Sequence, residues 1–112
     1  MSRKRIKVKI KNLGTKKGDH PHIILDDIED NHVSVGLSTK KKKGKSKRAG
    51  TNKKLDHDPL GEGKYSHIRR QATIEKRVRY HKERTGTMTE EDHKVAKGYG
   101  EKAKAKWLKR KK

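Results

Sequence analysis

The sequence predicts a mainly β, α+β fold: a small antiparallel sheet followed by one C-terminal helix. Three observations lead there. Residues 3–13, RKRIKVKIKNL, alternate between basic and apolar side chains, the period of a strand with one buried face. Two more apolar runs, residues 22–28 and 32–39, follow at short intervals with turn residues between them. From Thr87 onward the pattern changes to that of a capped helix with acidic residues first and lysines last.

In the first strand Ile6, Val8 and Ile10 share one face and Lys7, Lys9 and Lys11 the other. Residues 14–18 are turn-like, and the continuous Ile23, Ile24 and Leu25 of the second strand predict burial on both sides. Asp30 and Asn31 turn the chain into a third strand in which Val33, Val35 and Leu37 alternate, so residues 1–39 form a three-stranded meander. Residues 40–63 are a basic loop and a return. Residues 40–54 hold nine basic side chains, no acid and no aliphatic larger than alanine, a composition expected to stay disordered without a partner. Pro59 and two glycines mark residues 55–63 as turn-rich.

Within residues 64–86, YSHIRRQATI reads as a fourth strand, with Ser66, Ile68 and Arg70 on one face and Tyr65, His67 and Arg69 on the other. Its continuation, EKRVRYHKER, fits either period and is read as a helix. Residues 87–109 are the C-terminal helix. Thr87-Met-Thr-Glu90 has capping-box form, and Val95, Tyr99, Ala103 and Trp107 recur every four residues as the stripe expected to pack on the sheet. Gly98 and Gly100 each weaken that helix by about 1 kcal/mol relative to alanine. A basic tail closes the chain.

Composition bounds the function. A chain of 112 residues with formal net charge +20 is one small domain whose self-repulsion is relieved by a polyanion, and nucleic acid is the expected partner. Apolar residues are 26% of the total, against about 45–50% in ordinary globular domains, so the core is small. Cysteine is absent, which removes disulfides, thiolate metal sites and a cysteine nucleophile. No apolar run approaches a membrane span, and the basic N-terminus leads into an alternating strand instead of a signal peptide, so a cytoplasmic protein is expected.

Ser38 and Thr39 end the third strand directly before the lysine run. Hydroxyl donors beside ammonium groups are what a phosphodiester oxygen requires. Arg69 and Arg70 offer guanidinium groups for bidentate phosphate binding. His20 supplies an imidazole, which exchanges protons near neutral pH. His20 and His22 flank Pro21 as an H-x-H pair, but with the other histidines scattered and cysteine absent no zinc site is expected. Asp26, Asp27, Glu29 and Asp30 read as a solvated acidic turn, and no metal or other cofactor is expected. Lys40, Lys41, Lys42, Lys43, Lys45, Lys47 and Arg48 contact RNA backbone without reading sequence, through contacts that weaken steeply with salt. Tyr65, Ser66 and His67 complete the expected RNA-binding set, with Tyr65 and Tyr80 the candidate stacking rings near the basic strand.

The order His20-Pro21 leading into IIL, then VSVGLSTK, a Lys/Gly loop, a Pro-bearing return, KYSHIRR and MTEEDHKVAK resembles the PemK/MazF-like endoribonuclease toxins. The resemblance spans about Gly18 to Lys97. It implies a compact SH3-like β-barrel and metal-independent cleavage of single-stranded RNA, with the 2′-hydroxyl attacking its own phosphate to leave a 2′,3′-cyclic end. It places Ser38 or Thr39 at the phosphate-binding hydroxyl. At the position where those enzymes generally carry an arginine, this chain has His20, so either His20 moves the proton or Arg69 or Arg70 supplies the charge. It further implies a toxin–antitoxin pairing, with neutralisation by an acidic protein or an RNA antitoxin and a role such as phage defence, and it leaves an oligomer open. A second reading from the residues alone is a non-catalytic basic RNA-binding protein, ribosome-associated or phage-borne. A third is a DNA-binding phage accessory protein.

Overall fold

A computed structural model of the chain describes residues 4–15, 18–38, 53–62 and 65–110. The elements are β1 (Arg5–Thr15), β2 (Gly18–Ile28), β3 (Asn31–Ser38), β4 (Lys53–Lys54), β5 (His67–Ile68), β6 (Thr73–Lys76), a single 3-10 turn (Arg77–Arg79), β7 (Tyr80–Thr89) and α1 (Glu90–Arg110). The fold is mainly β with one C-terminal helix, of the α+β class.

The predicted meander is present. β1 pairs antiparallel with β2 and β2 with β3, and β3 is the most enclosed strand. Its far side is shared by two short partners: β6 pairs with its first half and β5 with Leu37 and Ser38. The full order is β4-β5-β3-β2-β1-β7. Alternation decides the faces. Val8, Ile10, Ile23, Val35, Leu37, Ile68 and Met88 meet on the inner side with Leu55 and Ala96, and Ile6, Leu25, Leu60, Tyr65 and Tyr99 pack around them.

Several expectations are corrected. The sheet is open: β7 and β4 end the path and do not pair among the described residues, so the closed barrel is replaced by a sheet whose edges an irregular segment joins. That segment, residues 55–62, carries Pro59 and cannot extend a ladder. It bonds to β7 instead, through Thr87 N–H to Pro59 O at 3.0 Å and His57 Nε2 to Thr87 O at 2.9 Å. Gly86 makes the crossing possible, because a Cβ there would lie 2.5 Å from the Pro59 oxygen and 2.4 Å from Ile10 Cδ1. The buried Asp58 carboxylate organises the rest of the segment by accepting from the N–H groups of Leu60, Glu62 and Tyr65.

The single fourth strand over residues 65–74 is two pieces, β5 and β6, separated at residues 69–72. The helix expected through residue 86 is strand: Tyr80–Thr89 pairs antiparallel with β1, with one 3-10 turn before it. Burial of Tyr80, Gly86 and Met88 on the sheet outweighs a helical spacing that would bury no continuous stripe. Lys53 and Lys54 belong to a short strand and not to the loop. Residues 39–52 lie outside the described residues. The helix ends at Arg110, one residue past the expected end of the helix over residues 87–109.

α1 is capped two residues later than expected, at Thr89 instead of Thr87. Thr89 Oγ1 accepts the Asp92 N–H at 3.2 Å, while the Asp92 carboxylate accepts from Asp56 N–H at 2.8 Å and so ties the helix start to the return segment. The buried stripe is Asp92, Ala96 and Gly100, one position round from the predicted one, and Val95 is 36% exposed. Gly100 sets the closeness of approach: a Cβ there would sit 3.0 Å from Leu25 Cδ1 and 3.3 Å from Val33 Cγ1. Lys104 then reaches Asp26 on β2 at 2.6 Å.

Candidate RNA-binding face

β3 is buried on both sides, and its second face is polar: His32, Ser34 and Gly36 alternate with the core-facing valines. Cross-strand register fixes what surrounds them. His22 pairs with Gly36 and Ser38 with His67, so these four positions share the outer face. His20 lies two residues beyond His22, on the same face of β2, and is exposed. Ser38 lies two residues beyond Gly36 on β3. Lys54 pairs with His67. Arg69 continues the alternation of β5, its N–H bonded to Gly36 O at 3.0 Å and its Cδ 3.4 Å from where a Gly36 Cβ would stand.

The fold therefore brings His20, Ser38, Arg69 and His67 to one face across β2, β3 and β5. Arg70 does not join them by alternation; it is exposed at the bend after β5. Tyr65 packs against the core, and Tyr80 is buried with its hydroxyl bonded to Ser34, so neither ring is the expected exposed stacking platform. Tyr65 and Ser66 precede β5 and belong to no strand. Ser66 Oγ and His67 Nδ1 share a hydrogen bond of 3.0 Å, and both side chains are half-buried. Thr39, Lys40, Lys41, Lys42, Lys43, Lys45, Lys47 and Arg48 lie outside the described residues.

Beneath the face lies a polar network that sequence reasoning missed. His22 Nδ1 is 3.0 Å from Ser34 Oγ, and Ser34 Oγ is 2.7 Å from the Tyr80 hydroxyl. The Tyr80 ring meets His22 and His32 edge-on, with centroids 6.2 and 5.0 Å away. Lys11 donates to His32 Nε2 at 3.0 Å, and His32 Nδ1 donates to the Asp27 carboxylate. Burial, with Arg69 and His20 close by, pushes the His22 pKa down to about 4, so its ring is neutral at neutral pH. Burial likewise pushes the Tyr80 phenol up and keeps it protonated. The signal was present in HPH and HVSVG, where polar residues at every second position fall on one face between apolar ones.

Charge is sorted across the molecule. Asp26 holds Lys104, Asp19 accepts from His81, Glu75 pairs with Arg79, Glu83 lies between Lys9 and Lys11, and Glu62 pairs with Arg84. Arg69 and Lys54 pair with no carboxylate among the described residues. The first turn of α1 carries Glu90, Glu91 and Asp92, favourable beside the helix N-terminus. Among the described residues no group of three or more His, Asp or Glu side chains is placed to hold a metal ion, and no helix is long and apolar enough to cross a membrane. Comparisons with protein-family models, with curated proteins and with solved structures gave no match.

Proposed function

We propose that the chain is a metal-independent endoribonuclease of the toxin type, cleaving single-stranded RNA to a 2′,3′-cyclic phosphate. The observation that carries this reading is the placement of His20, Ser38, His67 and Arg69 on one face of adjacent strands, beside a cation with no carboxylate partner. Transesterification needs a base for the 2′-hydroxyl proton, an acid for the departing 5′-oxygen and donors for the charge that builds on the non-bridging oxygens. His20 and His67 bracket Ser38 in the strand order and serve as the proton-transfer pair. Ser38 donates a hydrogen bond to a non-bridging oxygen, and Arg69 offsets the added negative charge. The 2′-oxygen forms the new bond to phosphorus as the bond to the 5′-oxygen breaks, so no water or metal enters this step. The resemblance to PemK/MazF-like toxins supports the same assignment, and an acidic protein or RNA antitoxin is the corresponding partner.

The net charge of +20 favours a second reading, a basic RNA-binding protein without catalysis. Incubation with single-stranded RNA in excess chelator separates the two. Cleavage is expected from the native chain, with a loss of about a hundredfold or more on His20→Ala or Ser38→Ala while RNA affinity stays within a few-fold. Intact RNA at micromolar protein, with binding retained, would establish the binding reading instead.

A further inference from the structure

β1 and β7 carry a second array of donors on the same side of the sheet. Their register sets Lys7 opposite Thr87 and Lys9 opposite Thr85, so each of these cations on β1 faces a hydroxyl on β7. Lys11 pairs with His22, which puts the lysine row on the face shared by His20 and Ser38. Val8, Ile10 and Met88 turn to the other side, where Ala96 of α1 packs. Lys7, Lys9 and Thr85 are exposed, and Thr87 is half-buried.

The backbone makes these rungs narrow. Thr87 gives its N–H to Pro59 O at 3.0 Å, and its carbonyl accepts from His57 Nε2 at 2.9 Å, so both peptide groups point away from β1. Lys7 and Thr87 are therefore a non-hydrogen-bonded pair, as are Lys9 and Thr85 two residues along. In such pairs the Cα atoms are about 4.5 Å apart and the side chains stand closest. His57 Nε2 carries the hydrogen that bonds the carbonyl, so Thr87 Oγ1, 3.1 Å away, does not donate to it and keeps its own proton for another acceptor. Successive rungs lie about 6.7 Å apart along the strand, a step comparable to that between neighbouring phosphates of an extended nucleic-acid strand. The ladder has two ends. Glu83 lies 3.8 Å from both Lys9 and Lys11, and Thr89 is engaged by the Asp56 carboxylate and the Asp92 N–H. Among the described residues no carboxylate pairs with Lys7.

We propose that the two rungs, Lys7 with Thr87 and Lys9 with Thr85, hold two successive phosphates of single-stranded RNA. Each ammonium supplies charge, and each hydroxyl donates to a non-bridging oxygen. Charge complementarity and spacing together select the occupant, since a flexible polyanion with regularly placed phosphates fits the row rung by rung. Lys9 gives up Glu83 readily, because both side chains are more than half exposed, at 55% and 57%, and such a pair is weak in water. The contacts read charge and spacing but no base, so the ladder is an anchor on the face that carries His20 and Ser38. The proposal rests on the reading that RNA is the partner, but not on cleavage.

Fluorescence anisotropy on the full chain, with a labelled single-stranded 2′-O-methyl RNA that cannot be cut, tests this over a range of salt. Replacing Lys7 and Lys9 together by glutamine should lower affinity about tenfold or more at low salt. It should also flatten the plot of log affinity against log salt by about 1.4, two phosphates at about 0.7 each. Lys94 and Lys102 are exposed on α1, on the opposite side of the sheet. Their joint replacement by glutamine removes the same charge and should leave the slope nearly as in the native chain. Thr85→Val takes one hydroxyl and no charge from an exposed strand position, so affinity should fall a few-fold with the slope unchanged. Equal slopes for the two lysine pairs, or Thr85→Val binding as tightly as the native chain, would overturn the proposal. A chain that shows these differences but never cuts unmodified RNA keeps the ladder and loses the nuclease reading. One that cuts RNA with equal slopes loses the ladder alone, and one that binds no RNA loses both.

Discussion

His22 shows how a single side chain couples the stability of the fold to the chemistry of its surface. An unfolded chain takes up the His22 proton as pH falls below about 6.5, whereas the folded chain resists until about pH 4. Between those values the unfolded state binds more protons, so stability falls as pH is lowered through the window. Burial of His93, with Lys97 nearby, lowers its pKa too and acts in the same direction. The expected loss through His22 is about 2–3 kcal/mol from pH 7 to pH 4. Urea midpoints measured across that range should fall for the native chain and fall less for His22→Gln; equal slopes would mean that His22 is not buried neutral. His20 and Ser38 were legible as candidates because a hydroxyl at a strand end and an imidazole before an apolar run stand out in a sequence. His22 was not, because its importance depends on Tyr80, which lies 58 residues further along and reaches it only through the pairing of β1 with both β2 and β7.

At the scale of elements, the helix carries the clearest lesson about what local pattern can and cannot decide. Its existence and its acidic first turn follow from composition, but its buried side is Asp92, Ala96 and Gly100 instead of the more apolar Val95, Tyr99, Ala103 and Trp107 row. Small residues win because the helix lies close against Leu25 and Val33, where larger ones would collide. Gly98 and Gly100 are accordingly opposite cases of the same residue. Nothing lies within 4 Å of a Cβ at Gly98, so Gly98→Ala should stabilise the fold by up to about 1 kcal/mol through helix propensity. Gly100→Val should destabilise it by about 1–3 kcal/mol through overpacking against Leu25 and Val33. Denaturant titration of the two variants checks both signs together. β7 was misread for a related reason: Arg77 to Lys82 contains few apolar residues of either period, and the pairing partner that makes it a strand is β1, far away in sequence. Lys82, with φ of 54°, sits where β7 gains a residue over β1, a bulge that periodicity does not reveal.

For the molecule as a whole, the sheet class was legible because three alternating runs in succession leave few other solutions, but closure was not. Whether a small sheet shuts into a barrel depends on its last strands, and here the return segment takes that place with side-chain and backbone bonds of its own, from Asp56, His57, Asp58 and Pro59. The result brings β2, β3 and β5 side by side, so residues separated by some fifty positions, His20 on one side and His67 and Arg69 on the other, face the same solvent. Most described acidic side chains are occupied by lysine, arginine or histidine partners elsewhere, and none of the described carboxylates pairs with Arg69 or Lys54 on this face. The proposed nuclease function requires that RNA bound here be cut by its own 2′-hydroxyl. Mass spectrometry of the RNA 3′ ends after incubation with the native chain and chelator tests it most directly. Ends bearing 2′,3′-cyclic phosphate are expected, and they should vanish when the 2′-hydroxyl at the cut position is replaced by hydrogen; 3′-hydroxyl ends, or cutting that persists without the 2′-hydroxyl, would contradict that function.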